Sequence, residues 1–253
     1  MTHEPLVDDR SSKNHTSRLR DTWPIHKREV LQLVGAYVLI TGVFVGLGAL
    51  ITGPLDGTSI VNNDQRLARS FVDHRTPSWN DASVIGSALA ETSVKVLVTA
   101  IIAIALLITL KRWREPLVIA VALIMEASAF ITVTFVVGRN RPDVPRLDTS
   151  PVGSSFPSGH VAAAVAYTAI AVVVFWLTRN LIARVAVTIL CVAIPVIVAL
   201  SRMYRGMHYL TDVTCGALLG LCAVVVTALI LRPQQQPQPQ PQQSGVADDV
   251  RAD

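Results

Sequence analysis

An all-α polytopic membrane bundle of about six transmembrane helices is the fold class this sequence predicts. Three observations carry it. Of the 253 residues, 51% are hydrophobic and only 16% are charged. The apolar residues fall in long blocks, and six of these approach the roughly 20 residues that cross the hydrocarbon core of a bilayer. The blocks also lack the polar stripe of a helix with one face in water.

Residues 1–29 form a polar leader with Lys13, Arg18, Arg20, Lys27 and Arg28, and are expected to be disordered and cytoplasmic. The leader is too long and too acidic for a usual secretory signal. The predicted spans are residues 31–51, 94–110, 117–137, 161–177, 181–200 and 213–231. Together residues 30–231 make one membrane domain. Gly42 and Gly46 in the first span are a small-residue pair, read as a close helix contact. In the long connection 52–92, the stretch 64–79 mixes charge with scattered apolar residues, which suits an amphipathic helix at the interface or an irregular loop. Lys95 opens the second span with Glu91 one turn before it, a spacing that suits an ion pair. Glu126 lies in the middle of the third span. At 1.5 Å per residue it sits roughly 20 Å below Arg141 and is expected to make a buried polar contact remote from any site there. The tail 232–253 alternates proline with glutamine over much of its length and is expected to be extended, disordered and cytoplasmic.

Basic residues concentrate in the leader, in Lys111-Arg112-Trp113-Arg114, at Arg179 and Arg184, and at Arg232. Six spans place all of these on one side, which the positive-inside rule makes cytoplasmic. Arg139, Arg141, Arg146, Arg202 and Arg205 then face outside, an exception that a functional site would explain. The net charge of +4 forms no basic face, so no nucleic-acid partner is expected. Cys191, Cys215 and Cys222 all lie in spans and read as small apolar residues, not as a disulfide or metal set. The absence of an internal repeat and of charges along a path disfavours a transporter.

Three polar motifs interrupt this apolar pattern at the predicted outer face. In Ser201-Arg202-Met203-Tyr204-Arg205-Gly206-Met207-His208-Tyr209-Leu210-Thr211-Asp212, His208 and Asp212 are four residues apart. On a helix that spacing places both on one face, where the carboxylate can hold one ring nitrogen and leave the other free to attack. Pro157-Ser158-Gly159-His160 opens the fourth span, so that free backbone N–H groups, the Ser158 hydroxyl and a second histidine stand at a helix N-terminus. Gly138-Arg139-Asn140-Arg141-Pro142 ends the third span with two arginines, costly in lipid but suited to clamping a phosphate. Two histidines, a carboxylate and a group of arginines are what phosphoryl transfer without a metal requires.

With these motifs the chain resembles the type 2 phosphatidic acid phosphatase superfamily. Its signature is Lys-x6-Arg-Pro, Pro-Ser-Gly-His, and Ser-Arg-x5-His-x3-Asp. The second and third parts match in full, at residues 157–160 and 201–212. The resemblance implies His208 as a nucleophile that forms a phosphohistidine, Asp212 as its orienting group and His160 as general acid. It implies phosphate binding by Arg141, Arg202, Ser158 and Gly159, with no metal and no cofactor. The first part departs: Arg141-Pro142 fits, but Thr134 occupies the lysine position. Lys95 or Arg139 is expected to supply the missing cation, Arg139 as an added phosphate ligand. The function expected is an integral membrane lipid phosphatase that hydrolyses a lipid phosphate or diphosphate at the extracytoplasmic face. A polyprenyl diphosphate is favoured over phosphatidate-type lipids. A lipid phosphotransferase and an inactive lipid-binding relative are the alternatives.

Overall fold

The computed structural model describes residues 25–149 and 153–232. Most of the leader, the Pro/Gln tail beyond residue 232 and Ser150 lie outside the described residues. The chain folds into α1 (Lys27–Thr52), α2 (Ser59–Asp73), α3 (Pro77–Ala88), α4 (Thr92–Leu110), α5 (Arg114–Val137), α6 (Gly159–Ala166), α7 (Thr168–Leu177), α8 (Leu181–Tyr204) and α9 (Leu210–Ile230). Among the described residues, six helical units are long and apolar enough to cross a membrane: α1, α4, α5, α6 with α7, α8 and α9. The chain is a multi-pass membrane protein. Its exposure pattern suits lipid, since Phe135, Ile182 and Leu31 are 81%, 80% and 74% exposed. Such side chains cost little in hydrocarbon and would be a liability in water.

Local chemistry sets the helix ends. The Asn180 side chain accepts from Ala183 N at 3.2 Å and caps α8. Thr76 caps α3, where Pro77 takes a first-turn position that needs no N–H donor. Gly138 ends α5 at φ 62°, the left-handed conformation that glycine adopts without strain. The fourth span is two helices that meet at Tyr167, whose hydroxyl donates to Leu89 O at 3.3 Å. Span five continues beyond the predicted residue 200 to Tyr204 and carries Pro195 within it.

The core is set by how closely α9 approaches α6. A Cβ at Gly216 would strike the Ser158 carbonyl, and one at Gly220 would lie 2.5 Å from Ala162 O. This pair, four residues apart, is the small-residue contact of the fold. The expected contact at Gly42 and Gly46 is absent, because both are exposed on α1 with nothing within 4 Å of a Cβ. In α1 the glycine that admits a neighbour is Gly48, beside Val137 and Phe156. Phe156 is fully buried in a cluster with Phe44, Val133 and Leu219, which pins the loop before α6.

The connection between the first two spans holds two helices, broken at Arg75. On α2, Asp64 and Ala68 face inward while Arg66 and Arg69 are exposed. Helix α3 lies antiparallel to the end of α8: Asn80 meets Tyr204, Ser83 meets Arg205 and Ser87 meets Arg202. At the opposite end of the bundle, Arg114 donates to Glu29 at 3.0 Å and to the carbonyls of Leu231 and Arg232 at 3.4 Å. The start of α1, the α4–α5 corner and the end of α9 therefore share one end, as an even number of spans requires.

Candidate active site

The three motifs meet at the other end. The starts of α4 and α6, the outer half of α5 with the segment after it, the end of α8 and the turn before α9 enclose a cavity of about 280 Å³. His208, His160, Arg141, Arg202 and Gly159 line it together.

His208 is 4% exposed, and its Nδ1 lies 2.7 Å from the Ser155 carbonyl oxygen. A carbonyl can only accept, so Nδ1 carries the proton and Nε2 keeps a free lone pair. Asp212 does not hold the ring. Its Oδ2 is 4.0 Å from Nδ1, beyond hydrogen-bond reach. The reason is local: α9 begins at Leu210 with Tyr209 as its N-cap, so His208 precedes the helix and helical spacing does not apply. Asp212 instead accepts from Tyr209 N at 2.8 Å and caps the first turn. Burial holds the His208 pKa well below the ordinary histidine range, and the positive charges of Arg202 and Arg141 push the same way.

His160 stands in the first turn of α6, facing the cavity. Gly159 is required there, since a Cβ would come within 2.6 to 2.9 Å of the Phe130 ring. Ser158 is fully buried as the N-cap residue and is not among the lining residues. Its N–H donates to the Asp212 carbonyl at 3.0 Å, and its hydroxyl has no partner among the described residues.

Arg141 is held by the carbonyls of Met207 and Ser154 at 2.7 and 3.1 Å. Arg202 donates to Ser87 Oγ and to Asp148, both at 2.9 Å. Asp148 also receives Arg205 at 2.5 and 2.6 Å. That contact holds the Asp148 carboxyl below its usual range, despite partial burial.

Arg139 is placed differently from the expected phosphate ligand. Its guanidinium donates to Asp212 at 2.5 Å and to Asp64 at 3.0 Å, lies 4.3 Å from the Tyr209 ring centroid, and does not line the cavity. Two buried carboxylates and the Thr211 hydroxyl already take three of its five donors. Thr134 donates to the Phe156 carbonyl at 3.3 Å, so the expected lysine position here ties two segments together. Lys95 does line the cavity. It pairs with Glu126 at 2.9 Å instead of with Glu91, and Glu126 lines the cavity too. The cavity extends along α5 far enough to reach Glu126, which distance along the helix had seemed to exclude.

Asp64, Asp148, Ser87 and Ser155 carry no motif and were missed. An acidic residue inside an amphipathic stretch was the available signal for Asp64.

Known proteins share part of this sequence pattern and the fold. The PAP2 superfamily model matches residues 115–236, from α5 through the end of α9. Residues 115–236 carry the sequence pattern of the PAP2 superfamily. Among solved structures it is similar to the first transmembrane PAP2 type phosphatidylglycerolphosphate phosphatase from Bacillus subtilis. The TM-score is 0.64 at 25% identity, over 76% of this chain and 93% of that one. It also shares the fold of Aquifex aeolicus LpxE, with a TM-score of 0.51 at 24% identity, over 66% and 94% of the two chains. No curated protein sequence matches it significantly.

Proposed function

We propose that the protein is an integral membrane lipid phosphatase that works through a phosphohistidine, with a polyprenyl diphosphate as its favoured substrate. The observation that carries this reading is the gathering of His208, His160, Arg141 and Arg202 around one cavity. With Nδ1 committed to Ser155, the Nε2 lone pair of His208 attacks phosphorus. Arg141 and Arg202 neutralise the phosphoryl oxygens as charge shifts during transfer. His160 protonates the leaving oxygen, then takes a proton from the water that hydrolyses the phosphohistidine. Gly159 brings the α6 backbone close to the anion. Of the two cations expected to replace the missing lysine, Lys95 is the one at the cavity. Ala127, Phe130 and Ile131 make one wall apolar, and Ile131 is 50% exposed, which suits sideways entry of a lipid tail.

The likeness to the Bacillus phosphatase favours a second reading, a phospholipid monoester such as phosphatidylglycerolphosphate. The deciding measurement is phosphate release by purified protein from a polyprenyl diphosphate, phosphatidate and phosphatidylglycerolphosphate, each with excess chelator. Release from at least one lipid, unaffected by chelator, is expected, since no cluster of three metal-ligating side chains occurs among the described residues. Absence of release from every lipid would overturn the phosphatase reading, and loss on chelation would overturn the metal-free mechanism.

The site is proposed to open to the extracytoplasmic side, with both termini inside. The arginines of the loops at Lys111–Arg114 and Arg179–Arg184 support this orientation. In a variant lacking Cys191, Cys215 and Cys222, Thr149→Cys is expected to react with an impermeant thiol reagent in intact cells. Arg179→Cys is expected to react only after lysis. The reverse pattern would invert the protein in the membrane.

A further inference from the structure

We propose that Lys95, held by Glu126, is a subsite for the phosphate of the leaving group and makes this enzyme selective for diphosphates over monophosphates. The inference rests on the phosphatase reading above and goes beyond it by assigning residues to substrate choice.

The pair is buried, with side chains 9% and 1% exposed, and is placed within the bundle. An ion pair in such surroundings adds little stability, because desolvation offsets the attraction. An ionisable residue inside a membrane bundle marks a pathway or a ligand contact more often than a structural prop. Here both side chains also line the cavity that holds the two histidines and the two motif arginines.

Their placement separates two regions of charge. Arg141 and Arg202 come from the loop after α5 and the end of α8, and they act on both histidines. Lys95 comes from the first turn of α4, on another side of the cavity. Lys95 and the two motif arginines thus reach the one cavity from different elements, so that the arginines can hold the transferred phosphate while Lys95 meets the phosphate next to it. Its ammonium has three donors, and Glu126 uses one of them among the described residues. The other two are available to an anion, while Glu126 fixes the stem and balances its charge.

A diphosphate needs such a group. The Nε2 lone pair of His208 bonds to the terminal phosphorus as the bond from that phosphorus to the bridging oxygen breaks. The electron pair stays on the bridging oxygen, and the product leaves as a lipid monophosphate carrying negative charge. Lys95 neutralises that charge, and His160 supplies the proton. Water then attacks the phosphohistidine, orthophosphate departs, the ring regains its lone pair, and the proton lost by water passes to His160. A monoester releases an alcohol, which presents no anion to Lys95.

The experiment compares kcat/KM for a polyprenyl diphosphate and the matching monophosphate in wild type, Lys95→Arg and the double variant Lys95→Met with Glu126→Gln. The double variant removes the pair without leaving a charge buried, and thermal unfolding checks its folding. The ratio of diphosphate to monophosphate kcat/KM is expected to fall about ten- to a hundredfold in the double variant. It is expected to recover largely in Lys95→Arg. A ratio unchanged in a folded double variant would overturn the subsite, whether both activities fall together or neither falls. In parallel, calorimetry measures binding of methylenediphosphonate and of inorganic phosphate. Wild type is expected to prefer the diphosphonate, and the double variant to lose that preference. If wild type hydrolyses neither polyprenyl lipid, the phospholipid panel above decides the phosphatase reading separately, and this binding arm alone decides the subsite. No preference in wild type would then overturn it.

Discussion

Replacing His208 by alanine is expected to cut phosphate release by at least about a thousandfold, because the attacking lone pair is gone and the arginines only hold the substrate. The variant is expected to bind substrate still and to fold, since the lost hydrogen bond to Ser155 is one loop contact. His160→Ala is expected to cost about a hundred- to ten-thousandfold with an alcohol leaving group, and less with a leaving group that departs readily as an anion. Rapid quenching with labelled substrate separates the two variants. His208→Ala traps no acid-labile phosphoenzyme, and His160→Ala forms it slowly. Appreciable turnover by His208→Ala would end the phosphohistidine mechanism. The same ring fixes part of the pH profile. Burial and two arginines lower its pKa, so the nucleophile stays neutral at pH 7 and is not protonated until well below the ordinary value of about 6.5. Any loss of rate between about pH 7 and 6 must then come from another group. The linkage has the same sign: below about 6.5 the unfolded chain takes up a proton that the buried ring refuses, so stability falls as pH falls toward the folded pKa.

The spans were legible because a bilayer demands long apolar helices whatever their partners. The gathering of His160, His208, Arg141 and Arg202 was legible because each sits at a helix end that the same weave brings to one side. What failed was local register. The spacing of His208 and Asp212 predicts contact only if both are helical, and the helix starts two residues after His208. Gly42 and Gly46 have the same pattern as Gly216 and Gly220, and nothing in the sequence says which pair meets a neighbour. Lys95 and Glu126 are 31 residues apart on adjacent helices, a pairing that depends on the tilt of α4 against α5. Asp148 lies in an irregular loop, where neither periodicity nor capping signals act.

Arg139→Met is expected to be as damaging to stability as any single change at the site. Arg139 neutralises Asp212, which has no exposure, and Asp64, which has 3%. Removing the guanidinium strands two buried carboxylates, and breaking such an arrangement costs about 3 to 5 kcal/mol. The consequence for activity runs through Asp212. Its carboxylate caps the turn that follows His208, and its carbonyl receives Ser158 N–H beside His160. A disturbed Asp212 therefore displaces both histidines from each other without touching the phosphate. Arg139→Met is accordingly expected to lower the unfolding temperature in detergent and to lower kcat, with KM little changed in the folded fraction. Arg139→Lys is expected to restore part of the stability, because an ammonium can pair with one of the two carboxylates but cannot span both as the planar guanidinium does. Asp64→Asn is expected to show a milder form of the same loss. The alternative, a direct phosphate ligand, predicts the opposite division: KM rises several-fold while the unfolding temperature holds. That outcome would return Arg139 to the phosphate clamp.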